Sequence, residues 1–465
     1  MTRRSLPPRR DRRRIAAFAA LALVVGLAGS AGAEGGNGDR WRVADLRLGA
    51  DGFDPSTAAA LSVLTPARAA TTWCGTASSE DRTPNALAGH PARWIYAIPS
   101  DGQDQLSSRA STMQTDAETI DAWWRSQDAT RVPRNDVTQF PCGLQLDVSS
   151  VRLPQSGSQL AASDSTFGTI ADDLIRQGFG SPFTKLVVYY DGPVSDDNLC
   201  GQAASDRTGF GVAVVYVQAC SVLSSAVVAV HEMVHTLGAV PRGAPHNCPP
   251  PDDGHTCDVT TDLMYPFLDT TPLTGLGLDP GRDDYYGHGG SWLDVQDSPW
   301  LVQLDRQVPL ALTISGPGEV VANVPGLECS QSCTTTWNGD TRLELAATPG
   351  PGAKLVRWGG ACSGALACGV TVAQGVTATA LFAPLTYRLT VGVAGKGTVR
   401  SSLSGITCRP RCSASFSSYV PVRLTVKPAK GWRFRSWSGA CRGSRPACTV
   451  PMTANTNARA VFVRA

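Results

Sequence analysis

Leu223–Gly238 reads LSSAVVAVHEMVHTLG, and this stretch decides how the middle of the chain folds. Leu223, Ala226, Val230, Met233 and Leu237 recur three and four residues apart, the spacing of one face of an α-helix. His231 and His235 are four apart on another face, so their imidazoles leave successive turns in the same direction. Ser221 or Ser224 can cap the start of the helix. Gly238 can end it, because glycine accepts the left-handed conformation by which a chain leaves a helix.

Two imidazoles at this spacing can ligate one Zn²⁺, while Glu232 beside them reaches a water on the metal. Zinc lowers the pKa of such a water toward ~7, and a carboxylate takes its proton as it attacks a carbonyl. The expectation is hydrolysis with Glu232 as catalytic base and His231 and His235 as metal ligands. Glu232 is the only glutamate between Glu118 and Glu319. A third ligand supplied by a glutamate shortly downstream is therefore excluded.

His231–Gly238 resembles the metzincin pattern HExxHxxG. In that family a histidine or aspartate follows three residues beyond the glycine, but here the position is Pro241, which cannot ligate. The nearest substitute is His246, eight residues after Gly238, and it is taken as the third ligand. His255, Asp258 and Asp262 remain as alternatives. Asp262-Leu263-Met264-Tyr265-Pro266 is similar to the family's Met-turn, which implies that Met264 lies beneath the metal as a packing floor and that Tyr265 assists catalysis. Gly238–Val240 and Ala244–His246 are similar to segments of secreted actinobacterial proteins of metzincin type. The resemblance implies a zincin-like α/β (α+β) domain, a Zn²⁺ cofactor and endopeptidase activity on a protein or peptide substrate. Two other readings stay open: a zinc amidase acting on peptidoglycan, and a noncatalytic surface-binding protein.

Arg93–Ile98, Lys185–Tyr190 and Phe210–Val217 read as strands from their β-branched and aromatic content. Ser108–Ser126 and Asp164–Gln177 read as helices, the second capped by Asp164. Such alternation favours a mixed α/β domain over residues 71–308. Residues 34–70 are rich in Ala, Gly and Asp without clear periodicity and read as a flexible leader or short propeptide. Residues 1–33 carry seven arginines, an apolar run from Ile15 to Ala28, and small residues ending at Ala33. That order is a signal peptide, and the run is short of the roughly 20 residues a membrane span needs. A secreted, extracellular or surface-associated protein is expected. Fourteen cysteines, all after the leader, agree with an oxidising compartment. Their clustering suggests Cys74–Cys142, Cys200–Cys220 and Cys248–Cys257 bridges, followed by two groups of four. Oxygen donors in Asp252–Asp262 suit a structural Ca²⁺, although no EF-hand pattern is present.

The last third contains an internal repeat. Cys329, Cys333, Trp358 and Cys362 return at Cys408, Cys412, Trp437 and Cys441, each displaced by 79 residues, and Cys368 and Phe382 return displaced by 80. Two small disulfide-stapled all-β modules, 309–384 and 385–465, follow. Through the Trp-x-Gly-Ala-Cys segment these copies resemble the divergent InlB-type B repeat of bacterial surface and secreted proteins, which implies an accessory role. Charge separates the parts: residues 34–308 hold 17 Lys+Arg against 34 Asp+Glu, whereas residues 309–465 hold 17 against 4. The segment from Leu385 has 14 basic residues and no acidic one. An anionic cell-wall polymer or polysaccharide is the expected partner of such a module, and no nucleic-acid reader motif is present. Trp337, Trp358, Trp432 and Trp437 are candidates for either a sugar-stacking platform or module core.

Overall fold

A computed structural model describes residues 44–48, 72–76, 88–206, 208–219, 223–268, 270–364, 367–409 and 411–465. The signal peptide expected at 1–33 lies outside the described residues, as does most of the 34–70 leader. The described chain is mostly β, with few helices.

Its N-terminal part is organised by one seven-stranded mixed sheet. The strands are β1 (Ala44–Leu48), β2 (Ala92–Ile98), β3 (Val148–Arg152), β4 (Lys185–Tyr190), β5 (Leu199–Ser205), β6 (Gly211–Tyr216) and β7 (Phe267–Leu268). They lie in the order β7-β1-β5-β6-β4-β2-β3. Strand β5 is antiparallel to both neighbours, β1 and β6, whereas β6, β4, β2 and β3 run parallel. Every residue of β4, KLVVYY, is buried, as a central parallel strand covered on both faces requires. Alternation divides the sheet between two cores. Trp94, Tyr96, Val187 and Tyr189 enter one, while Ile95, Ala97, Leu186, Val188 and Tyr190 enter the other.

Four α-helices occur among the described residues: α1 (Leu106–Gln127), α2 (Gly157–Ala161), α3 (Thr166–Arg176) and α4 (Ser225–Thr236). Helix α3 starts two residues later than its sequence suggests, because the Oγ of Ser165, not Asp164, accepts the N–H of Gly168 at 2.9 Å. Helices α1 and α4 share the first core with the loops beyond α4. There Trp123 Nε1 donates to the Leu276 carbonyl at 3.0 Å and Trp124 Nε1 to the Tyr286 hydroxyl at 3.2 Å. Helix α4 packs on β5 and β6 and is more enclosed than an amphipathic stripe predicts. Val227, Val228, Ala229, Val230, Met233 and Val234 are all buried. Full burial of a valine or methionine side chain is worth roughly 1.5–3 kcal/mol, so the surroundings hold this helix more than its own propensity does. Ser224 is its N-cap residue but makes no side-chain capping bond, and Gly238 leaves it with φ +93°.

Strand β1 changes the reading of residues 34–70. Ala44–Leu48 is an interior strand of the sheet, antiparallel to β5 and parallel to β7, with Leu46 fully buried.

Each C-terminal copy folds as two four-stranded sheets, in the same order in both copies. The strand Gln307–Ser315 opens the first copy two residues ahead of the expected boundary. Bridges Cys329–Cys333 and Cys362–Cys368 staple it, and Cys408–Cys412 and Cys441–Cys448 staple the second. Trp337, Trp358 and Trp437 are buried in these cores, so they are packing residues and form no exposed sugar platform. The first copy docks on the N-terminal part: Gly89 N–H donates to the Pro325 carbonyl at 2.9 Å, and Arg134 donates to Asn338 Oδ1 at 2.9 Å. A Cβ at Gly326 would stand 2.2 Å from Ala88 Cα, so only glycine allows this approach. Cys74–Cys142 and Cys248–Cys257 also form as expected, while Cys220 lies outside the described residues. This many bridges suit an oxidising compartment.

Candidate metal centre

Helix α4 carries His231 and His235 on successive turns, and the loop closed by Cys248–Cys257 brings His255 to them. His235 Nε2 stands 3.1 Å from His231 Nε2 and 3.2 Å from His255 Nε2. The Nδ1–H of His231 donates to the Leu263 carbonyl at 2.6 Å, and that of His255 to the Asp252 carbonyl at 3.1 Å. A carbonyl can only accept, so both rings carry their proton on Nδ1 and offer a lone pair from Nε2. Burial, aided by the neighbouring imidazoles, depresses the pKa of His231 and His235 well below the usual value; burial also lowers that of His255. All three rings are therefore neutral, as metal ligation requires.

Zn²⁺ fits this donor set. A single proton on His235 Nε2 can serve only one of the two facing lone pairs, whereas one cation satisfies all three nitrogens, which lie within 4.8 Å of one another. Glu232 supplies an independent sign. It is fully buried, and neither carboxylate oxygen has a hydrogen-bond partner. Burial, with a smaller contribution from Asp45 on β1, pushes its pKa far up. Such an orphaned carboxyl is costly unless it faces a cation or a bound water. Its place is made by Gly201 on β5, where a Cβ would lie 2.7 Å from Glu232 Cγ and Oε1 and 2.8 Å from Val228 Cγ1.

The structure groups His255, not His246, with the α4 histidines. His246 turns toward carboxylates: its backbone N–H donates to Asp284 Oδ1 at 2.8 Å, its Nδ1 to Asp284 Oδ2 at 3.0 Å, and Asp258 Oδ2 lies at 3.5 Å. The Asp284 hydrogen bond raises its pKa. The loop geometry explains the exchange. Cys248 N–H donates to the His255 carbonyl, Cys257 N–H to the His246 carbonyl, and Thr256 N–H to the Met264 carbonyl. Together with the disulfide, these bonds turn residues 247–256 back so that His255 meets the helix. The signal in the sequence is a histidine two residues before a cysteine of a short bridged loop.

Met264 is fully buried in the core that holds Val230, Met233 and Val234, and its N–H donates to Asp262 Oδ1 at 2.7 Å. Tyr285 hydroxyl donates to the same oxygen at 2.8 Å, and burial pushes the Asp262 carboxyl up to about 7. Asp262 thus braces the turn from which Leu263 holds His231, and it is not among the three grouped donors. Tyr265 is half-buried, its ring 6.5 Å from that of Phe267. Asp279 Oδ2 accepts the N–H groups of Asp284, Tyr285 and Tyr286 at 2.7–3.1 Å and organises that turn.

Comparison with known proteins bears on the C-terminal third. Residues 320–386 and 387–465 match the family model described as the divergent InlB B-repeat domain. No curated protein matches the chain. Among solved structures, the Bacillus anthracis TIE protein is 9% identical, with 34% of this chain and 33% of that chain covered and a TM-score of 0.22. The chain thus spans about a third of the length of that structure. Catalytically inactive OgpA from Akkermansia muciniphila, in complex with an O-glycopeptide substrate, is 9% identical over 84% of this chain and 100% of that one, with a TM-score of 0.25. The major pilin from Streptococcus pyogenes is 8% identical over 34% of this chain and 96% of that one, with a TM-score of 0.16. At these scores no likeness bears on fold or activity. No helix among the described residues is long and apolar enough to cross a membrane.

Proposed function

We propose that the chain is a secreted zinc-dependent endopeptidase with a zincin-like N-terminal domain, its metal held by His231, His235 and His255. The observation that carries this reading is the convergence of three neutral imidazoles beside a buried carboxyl that has no hydrogen-bond partner. Zn²⁺ bound there supplies a Lewis acid for the scissile carbonyl and acidifies a water. Glu232 takes the proton of the attacking water and returns it to the leaving amine. Leu263 and Asp252 carbonyls orient two of the rings, and Met264 is buried in the core that helix α4 shares.

Strand β5 borders helix α4, and an extended substrate would add to it by main-chain hydrogen bonds. That place is held by β1. Ala44–Leu48 is accordingly a propeptide strand, with Asp45 near enough to act on the charges of Glu232 and His255. Asp45 Oδ1 accepts from Gln202 Nε2 of β5 at 2.7 Å.

The test is zinc content and hydrolysis of casein and of purified peptidoglycan by the full chain, before and after limited proteolysis between residues 49 and 71. Zinc near one equivalent, with casein hydrolysis that rises on cleavage, is expected. Hydrolysis of peptidoglycan alone would replace the endopeptidase by an amidase. A metal-free, inactive protein under zinc-replete conditions would remove the proposal.

A further inference from the structure

The second repeat carries a concavity of about 660 Å³ lined by Lys396, Arg400, Arg409, Lys427 and Lys430. All five side chains are exposed. The backbone explains why they converge. Strand Gly397–Ser401 pairs with Val422–Pro428 so that Thr398 faces Lys427 and Val399 faces Val426. Val399 enters the core, so Thr398, Arg400 and Lys427 share the outer face. Arg409 follows strand Thr407–Cys408 on the other side of Gly397–Ser401, and its Nε donates to Thr398 Oγ1 at 2.7 Å. Lys396 and Lys430 project from the loops at one end. Residues 385–465 contain no acidic side chain that could neutralise this group.

The first repeat shows that the fold does not require these charges. Displacement by 79 residues places Pro317, Val321, Ser330, Thr348 and Pro351 at the five positions, none of them basic. Two acidic residues, Glu319 and Glu344, stand where the second copy has Thr398 and Arg423. The register agrees, since Gly318 pairs with Pro349 in one copy as Gly397 pairs with Pro428 in the other. One backbone therefore presents a neutral-to-acidic face in the first copy and a concave cationic face in the second. Like charges gathered in a concavity raise its potential and repel one another until an anion enters.

We propose that this outer face of the second repeat is a binding site for a linear, non-nucleic-acid polyanion whose oxyanion groups recur at short regular spacing along the chain. Five cations spread over two strands and three connecting segments suit successive anionic groups better than a single ion. The lining contains no aromatic side chain on which a base could stack, which disfavours single-stranded nucleic acid. Phosphate-linked polymers and sulfated or carboxylated glycans share the required chemistry. The site is independent of the metal centre.

The experiment uses the full chain and three variants. Arg400→Val, Arg409→Ser and Lys427→Thr together install the residues that the first repeat already carries on this backbone. Lys396→Gln with Lys430→Gln removes the loop cations. Arg433→Gln, Arg435→Gln and Arg459→Gln remove three exposed cations from the other sheet of the same module as a charge-matched control. Binding to polyphosphate, heparin, polygalacturonate and a DNA duplex is measured by titration against salt, with unchanged near-ultraviolet circular dichroism confirming the fold.

The strand variant should lower the slope of log K against log salt by about 3 for the preferred polymer, and the loop variant by about 2, while the control leaves both slope and Kd nearly unchanged. Preference for polyphosphate assigns a phosphate-linked polymer, and preference for heparin or polygalacturonate a sulfated or carboxylated glycan. Equal losses in the strand variant and the control, tighter binding of DNA than of any other polymer, or no binding at about 0.15 M salt would each overturn the proposal.

Discussion

Replacing His255 by alanine should remove most of the zinc-linked stabilisation, whereas replacing His246 should leave it intact. A ligand that binds only the folded state, at 100 times its Kd, stabilises by about 2.7 kcal/mol. For a domain of this size, each kcal/mol shifts Tm by roughly 2–4 °C, so saturating zinc should raise Tm by about 5–11 °C. His255→Ala reduces the three grouped nitrogens to the two on helix α4. Losing a group that merely orients a ligand already costs about 10–100-fold in affinity, so loss of the ligand itself should cost at least ~100-fold. At the same zinc concentration the stabilisation then falls to ~0.4 kcal/mol, a Tm shift of about 1 °C. His246→Ala removes a half-exposed ring from Asp284 and touches none of the three nitrogens. Differential scanning calorimetry of EDTA-treated and zinc-loaded protein, paired with metal analysis, reads both variants. The reasoning fails if His246→Ala loses the zinc-dependent shift while His255→Ala retains it.

On the proposed mechanism, Glu232→Gln should keep the zinc-induced rise in Tm and lose roughly 10²–10⁴-fold in kcat on a peptide substrate, because it removes the proposed proton acceptor and none of the three grouped imidazoles. Full activity would dismiss Glu232 as the base. Gly201→Ala places a Cβ 2.7 Å from Glu232 Cγ and should lower kcat with zinc content unchanged; activity equal to wild type would show that the carboxyl needs no such cradle. Asp116 offers a test by pH. Burial raises its carboxyl from 3.8 to about 6, although Ser225 and Tyr189 hydrogen-bond to it. The native state then binds more protons than the unfolded state between those values, so this group's contribution falls as pH rises from about 4 through about 6 and is constant above. Asp116→Asn retains an acceptor oxygen for both hydroxyls and removes that loss. It should be more stable than wild type at pH 8, by up to roughly 3 kcal/mol, and no more stable near pH 4; denaturant midpoints at the two pH values check this.

Residue type was informative where an element is decided locally. Lys185–Tyr190 emerges as a strand with its expected ends, and the helix around His231 stops at Gly238 because that residue alone there takes a positive φ cheaply. The repeat modules were equally legible, since Cys and Trp recur at fixed displacement and each bridge closes a loop of a few residues. Strand β1 was hidden, because Ala44–Leu48 acquires its order from pairing with β5 and β7, which follow more than a hundred residues later.

Two imidazoles and a carboxyl on one helix, the absence of a glutamate shortly downstream, and a repeated module whose second copy is basic were all legible in the order of residues alone. These rest on the helical repeat, on composition and on spacing, all of which are local. The approach of His255 to the pair, the room that Gly201 makes for Glu232, and the meeting of the second repeat's cations in one concavity came from the folded chain. Each depends on how distant segments cross, through a disulfide-closed loop, a sheet edge and a strand register, and no local pattern encodes that crossing.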